Sequence, residues 1–197
     1  AMQIRKLRRD ELEEGARIMT AAFVDDPAWI AIGPDRRRHR RAVIHLYHRA
    51  VLRITWRYGS PIFGAYAATG ELAAIATTWP VGTYPPPQAT FAAYVPAFVL
   101  AGPAPSVRGL RTSVIQEHGH PDEPHLYLGF LCVDPPRQRG GFGRALLARV
   151  YESAEGAPVY LDTANPANLP YYASNGFELI GEAALPRGAR MWFLERR

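Results

Sequence analysis

The residues best suited to chemistry stand together as Gln138-Arg139-Gly140-Gly141-Phe142-Gly143. Before them runs His125 to Val133, aromatic and aliphatic with a single glycine, which is the pattern of a strand. Asp134-Pro135-Pro136 ends that strand, because proline brings no N–H to a ladder and fixes φ. After the glycines, Ala145, Leu146, Leu147, Val150 and Tyr151 recur at helical spacing. A glycine-rich turn that opens a helix binds anions. The first helical amides have no partner, the helix dipole adds positive charge, and glycine admits close approach. Arg137, Arg139 and Arg144 add full charges, and the ligand implied is a pyrophosphate.

The type of pyrophosphate follows from what the turn lacks. No Lys-Ser or Lys-Thr pair follows the glycines, as a nucleotide P-loop requires, and Leu146 stands where a dinucleotide fingerprint needs its third small residue. The turn does match [QR]-x-x-G-x-[GA], directly after Leu131-Cys132-Val133-Asp134-Pro135 and before Ala145-Leu146-Leu147. In this it resembles the acetyl-CoA site of the GNAT N-acetyltransferases. A second block, Tyr160 to Phe177, is similar to the family's late segment, with Tyr172 four residues before Gly176-Phe177. Leu161-Asp162-Thr163, Asn168-Leu169-Pro170-Tyr171-Tyr172 and the N-terminal Ala21-Ala22-Phe23, Asp26-Pro27 and Pro34-Asp35-Arg36 resemble the puromycin N-acetyltransferase-like branch. Two positions depart from the usual turn. Gly140 stands where Lys or Arg is common, and Arg144 where a small residue is common.

The resemblance implies a GNAT fold: a mixed α/β architecture with a mostly antiparallel, twisted sheet of about seven strands flanked by helices. It implies acetyl-CoA as co-substrate, with no metal, and an acetyl group moved to a primary amine by direct attack in a ternary complex. Gln138, Arg139, Gly140, Gly141, Phe142, Gly143 and Arg144 would hold the pyrophosphate. The backbone of Leu131, Cys132 and Val133 would pair with the pantetheine arm like an added strand. Asn168 either touches that arm or caps the short helix after it. Tyr172 is the general acid for the leaving thiolate, a phenol being protonated at neutral pH. The alternative for both Tyr171 and Tyr172 is simple helix packing.

The base is open. The strand at 125–133 carries no carboxylate, and Glu117, His118, His120, Glu123 and His125 all lie near it, His125 closest in sequence. Asp25, Asp26 and Trp29 border the connection expected beside the acceptor. There carboxylates would attract an amine and an indole face would receive it, unless the acids merely end a helix and the indole packs. Cys132 allows an acetyl-cysteine route, but no paired His is apparent. The acids and histidines at 118–125 do not fit a zinc pattern.

The elements that must position these groups read as follows. Gln3–Leu7 is a strand. Asp10 with Glu13 makes a capping-box pattern before a helix whose face is Leu12, Ala16, Met19 and Phe23, broken at Asp25-Asp26-Pro27. Asp35–Tyr58 is a long helix with a stripe of Val43, Leu46, Tyr47, Ala50, Ile54 and Tyr58. The basic run Arg36 to Arg41 at its start opposes the dipole and reads as a solvated face. Ile62–Ala68 and Glu71–Trp79 form a hairpin. Prolines then punctuate two helices, Ala89–Leu100 and Ser106–Glu117, within an insertion at about 86–120 that forms either a lid over the acceptor or a dimer contact. Val159–Thr163, Leu169–Asn175 and a closing hairpin, 177–184 with 190–196, complete the chain.

Composition bounds the rest. The 197 residues suit a single domain, 1–197, and 48% hydrophobic with 21% charged suits an ordinary core. The net charge of +5 raises nucleic-acid binding, yet no aromatic platform or nucleic-acid motif accompanies it. One cysteine excludes an internal disulfide, and no apolar run is long enough to span a membrane. The expected setting is therefore a cytoplasmic enzyme, monomer or homodimer, acting on a small-molecule amine without nucleic acid or membrane. Two other readings stand beside it: a non-catalytic acyl-CoA-binding sensor or structural subunit, and a protein N-acetyltransferase.

Overall fold

The computed structural model describes residues 2–197. Seven strands form one sheet: β1 Gln3–Lys6, β2 Ile62–Tyr66, β3 Leu72–Trp79, β4 Leu126–Val133, β5 Val159–Thr163, β6 Glu178–Ala184 and β7 Arg190–Arg196. Their order is β1-β2-β3-β4-β5-β7-β6. Every pairing is antiparallel except β4 with β5, so the sheet is mixed, with its one parallel pair at the centre. The helices are α1 Leu12–Phe23, α2 Pro27–Ile32, α3 Arg37–Arg57, α4 Val95–Ala101, α5 Pro103–His118, α6 Phe142–Ser153 and α7 Leu169–Ser174.

The sheet is covered on both faces. Leu146, Leu147 and Val150 of α6 pack with Phe63, Leu126, Leu161 and Leu194 on one side. On the other, Ile18 and Met19 of α1 and Leu52 of α3 meet Ile62, Ile75 and Cys132. This explains why β2 and β3 are buried along their whole length and read as apolar runs rather than alternating ones. Their alanines, Ala65, Ala73, Ala74 and Ala76, are fully buried and let the flanking helices come close.

Four local expectations are corrected. The capping box lies two residues earlier than Asp10 and Glu13: Glu11 accepts from the Arg8 amide at 2.8 Å, and Arg9–Glu11 is a 3₁₀ turn leading into α1. Asp26-Pro27 does not just break α1. Asp26 accepts from the Ala28 amide at 2.9 Å and starts α2 with Pro27 in its first turn, the position where a missing N–H costs nothing. Ala89–Leu100 is not one helix. Gln88–Tyr94 is 3₁₀ and Pro96 sits in the first turn of α4, so the proline opens a new helix rather than bending an old one. Tyr58 lies past the end of α3 and is exposed, outside the buried stripe.

The basic run is also not uniformly solvated. Arg36, Arg38 and Arg41 are exposed, but Arg40 is buried and donates to the carbonyls of Val24 (2.9 Å), Pro34 and Asp35 (both 3.1 Å). It ties α3 to the two connections flanking α2. Arg40→Met should cost about 2–4 kcal/mol in urea unfolding, because buried carbonyls lose a charged donor. A cost below about 0.5 kcal/mol would show that water replaces the guanidinium.

Candidate active site

The site begins where β4 and β5 part. They pair only at Leu126↔Val159 and Tyr127↔Tyr160, yet β4 runs on to Val133 and β5 to Thr163. A bulge helps to turn β4 away: Thr77 faces Phe130 and Thr78 faces Leu128, leaving Gly129 as the extra residue. A Cβ there would come within 3.2 Å of Thr77 Oγ1, so the bulge favours glycine. Beyond Tyr127 the β4 edge facing β5 is open, and its backbone groups remain available to an extended ligand. Leu131, Cys132 and Val133 lie on this stretch. The Cys132 side chain points into the core with α1, and burial pushes its thiol up to about 12.

At the far end of β4 the chain passes through the 3₁₀ turn Pro135–Arg137 into α6. Arg139 and Gly141 both take positive φ, +63° and +79°. The amides of Arg139, Gly140, Gly141, Phe142, Gly143 and Arg144 donate no hydrogen bond to any described residue, and Ala145 is the first amide of α6 to find a carbonyl, that of Gly141. Open amides at a helix start are the feature that a pyrophosphate uses. Gln138, Arg139 and Arg144 are exposed around this turn. Arg137 pairs with Glu71 on the neighbouring hairpin, while Arg139 and Arg144 have no carboxylate partner among the described residues.

Residues 127–131 of β4 border a cavity of about 330 Å³ between α2, α3, the insertion and the sheet. Leu131, Asn168 and Tyr172 from the cofactor side line it, together with Asp26 and Trp29. The inserted residues, including Tyr94, Phe98 and Gln116, form one wall. Tyr172 is buried on α7 and its hydroxyl makes no hydrogen bond to a described residue. Burial holds its pKa well above the ordinary phenol value, and the charges of Tyr171, Asp162, Cys132 and Asp26 add to the effect. Asn168 donates no cap to α7. Its amide reaches Thr163 Oγ1 at 3.3 Å, while Asn165 caps the 3₁₀ turn Pro166–Asn168 that leads into α7, receiving the Ala167 amide at 3.1 Å.

Two carboxyls meet the cavity from distant parts of the chain. Burial pushes Asp26 up to about 6, opposed by the Ala28 and Trp29 amides and reinforced by Asp162. Asp162, on β5, is also raised by burial. Its oxygens accept from Gln116 Nε2 at 3.0 Å and the Tyr127 hydroxyl at 2.8 Å. Asp162 was not among the expected site residues. The available signal was a carboxylate amid the apolar residues of a short central strand, which is costly unless used. Of the suggested bases, Glu117 lines the cavity. His125 does not: its ring is engaged by His120 Nδ1 at 2.9 Å and the Glu123 carbonyl at 2.8 Å, outside the cavity lining. Asp25 likewise turns away and pairs with Arg37 at 2.7 Å. No cluster of three or more His, Cys, Asp or Glu with metal-binding geometry occurs among the described residues.

Comparison with known proteins agrees with this geometry. Residues 108–179 match the family model described as an acetyltransferase (GNAT) domain. Among solved structures, a histone acetyltransferase HPA2 and related acetyltransferase from Corynebacterium glutamicum aligns with TM-score 0.77 at 17% identity, over 100% of this chain and 96% of that one. The PaiA N-acetyltransferase of Thermoplasma acidophilum, in complex with coenzyme A, aligns with TM-score 0.64 at 14% identity, over 100% and 99%. YncA of Salmonella typhimurium, a putative acetyltransferase with its cofactor acetyl-CoA, aligns with TM-score 0.57 at 16% identity, over 100% and 94%. The chain therefore has the fold of these acetyltransferases, and its residues 108–179 match the GNAT acetyltransferase domain model.

Proposed function

We propose that this protein is an acetyl-CoA-dependent N-acetyltransferase whose acceptor is the primary amine of a small molecule. The observation that carries the reading is what β4 links: open amides at the helix start that follows it, an open edge along it, and beside its residues 127–131 a cavity holding Tyr172 and two carboxyls. The residues present fit a CoA thioester. Arg139 to Arg144 offer the pyrophosphate amides and charge, Leu131 to Val133 offer strand-like pairing to the pantetheine arm, and Asn168 borders the arm's end. The thioester supplies an activated acyl carbon and a thiolate leaving group.

In this reading Asp26 takes a proton from the acceptor's ammonium group. The freed nitrogen forms the C–N bond as the C–S bond breaks, and Tyr172 gives its proton to the departing sulfur. The nitrogen's second proton restores the phenol. The balance is acetyl-CoA plus ammonium to amide plus CoA thiol plus one proton. A direct transfer fits better than an acetyl-cysteine route, since the Cys132 thiol is raised and faces the core. Intersecting initial-rate lines are therefore expected.

The pH dependence tests the base. With Asp26 near 6, kcat/KM for the acceptor should climb through about pH 6 to a plateau, and Asp26→Asn should lose both the rate and that limb. Stability must move the opposite way. A raised carboxyl favours the folded state while protonated, and that contribution is lost as pH rises from about 4 to 6. Asp26→Asn keeps the α2 cap and should stabilise the protein at pH 7 by about 1–2 kcal/mol. A variant that loses activity and stability together would point to a structural Asp26 instead.

The puromycin-like branch remains the finer form of this proposal, supported by Asp26-Pro27, Leu161-Asp162-Thr163 and Asn168 to Tyr172. The enclosing insertion favours a small acceptor over a protein chain. A monomer or homodimer within the cytoplasm is the proposed setting.

A further inference from the structure

We infer that the acceptor is a monoamine with an aromatic or comparably broad apolar body and no acidic group, its ammonium held between Asp26 and Asp162. This rests on the transfer reading above and narrows it. The chain has 23 Lys and Arg and a net charge of +5, yet the cavity lining holds Asp26, Glu117 and Asp162 with no Lys, Arg or His among the described residues. The charge distribution is thus inverted inside the cavity.

The two inner carboxyls have no cationic partner among the described residues. Asp162 is hydrogen-bonded only by neutral donors, Gln116 and Tyr127, and Asp26 by backbone amides. A recessed carboxylate without a cationic partner is costly, and a ligand ammonium is the partner that would relieve it. Both line the same cavity, and Asp26 feels the charge of Asp162, so one ammonium can serve both. An α-carboxylate on the acceptor would meet three acids and no base. A polyamine would have to strip water from several charges where the inner pair neutralises one site.

The walls specify the body. Trp29 and Tyr47 meet edge-on with centroids 5.0 Å apart, and Tyr47 and Tyr94 are 4.9 Å apart. Tyr84 and Tyr127 form a second pair at 4.8 Å. The hydroxyls of Tyr47, Tyr84 and Tyr94 make no hydrogen bond to a described residue, although the rings are largely enclosed. Flat aromatic surfaces with polar tips suit an aryl group and also favour a cation near the rings.

The test compares 2-phenylethylamine, phenylalaninamide, phenylalanine and spermidine. Calorimetric binding to the CoA-loaded protein and thiol release from acetyl-CoA are both measured. Phenylalaninamide should bind at least about tenfold more tightly than phenylalanine, and 2-phenylethylamine should exceed spermidine in both readouts. Asp162→Asn should weaken 2-phenylethylamine binding at least about tenfold. Asp26→Asn, which keeps its helix cap, should do the same and guards against a misfolded Asp162 variant. Preference for phenylalanine or spermidine, or unchanged binding in both variants, would overturn the acceptor class while leaving acetyl transfer standing. Acetyl-CoA binding without thiol release on any amine would overturn both.

Discussion

Replacing Tyr172 with Phe should lower kcat by about 10²–10³-fold and leave acetyl-CoA affinity unchanged. The substitution removes one oxygen that makes no hydrogen bond to a described residue, so the packing against Phe177 and the α6 residues is retained. Its buried setting keeps the phenol protonated across the working pH range. Such a group cannot serve as a base near neutrality, but it can give a proton to a thiolate forming beside it. Without that donor the sulfur must leave as an anion in an enclosed cavity or wait for water. The measurement is single-turnover thiol release with calorimetry of acetyl-CoA on the same variant. Unchanged turnover would reduce Tyr172 to a packing residue, which is its alternative reading. A parallel loss of cofactor binding would instead make it part of the cofactor's bed.

Gly141→Glu should remove acetyl-CoA binding, by at least about 100-fold. Two effects combine at this position. Glycine stands there with φ of +79°, a conformation that costs an L side chain about 1–2 kcal/mol. The larger effect is electrostatic. A Cβ at Gly141 would meet no atom within 4 Å, so the new carboxylate projects into the open space before the helix start. It would then occupy the open amides itself and repel the phosphates. Gly141→Ala separates the two terms, because it carries the backbone cost without the charge. It should lose only a few-fold in affinity. If alanine were as damaging as glutamate, backbone conformation would be the dominant factor and the anion site would lose its main support.

How much of this was readable beforehand depended on whether a feature is local. The turn from Gln138 to Gly143 was legible because its requirements are backbone ones: a strand stop, glycine at positive φ, and a helix with Leu146, Leu147 and Val150 on one face. Tyr172 was legible for a similar reason, since its spacing to Gly176-Phe177 reports a helix, its left-handed cap at φ +83° and the next strand. The cavity proposed for the acceptor is legible only in outline. Asp26 and Trp29 are expected near it, but Asp162 gains its meaning from lining the same cavity as a residue 136 positions earlier. Tyr47 reads as one residue of a buried helical stripe until the insertion brings Tyr94 against its ring.

The local errors share a cause as well. Pro96 looks like an interruption to a periodicity count, but proline in a first helical turn is a start signal, and the preceding stretch is 3₁₀. Arg40 is the same residue type as its exposed neighbours. Only the tertiary arrangement, which brings Val24, Pro34 and Asp35 carbonyls to one point, singles it out. His125 was favoured as a base by nearness in sequence to β4, but that nearness is to the end of β4 where it still pairs with β5. In the proposed mechanism the chemistry lies at the end where the two strands have parted.

The measurement that bears most directly on the central claim is wild-type thiol release from acetyl-CoA with and without 2-phenylethylamine, with the N-acetylated amine quantified by mass spectrometry. Thiol and amide are expected in a one-to-one ratio, with release in the absence of amine slower by at least about 100-fold. Tight acetyl-CoA binding with no amide formed from any amine would contradict it and leave a protein that holds the thioester without using it.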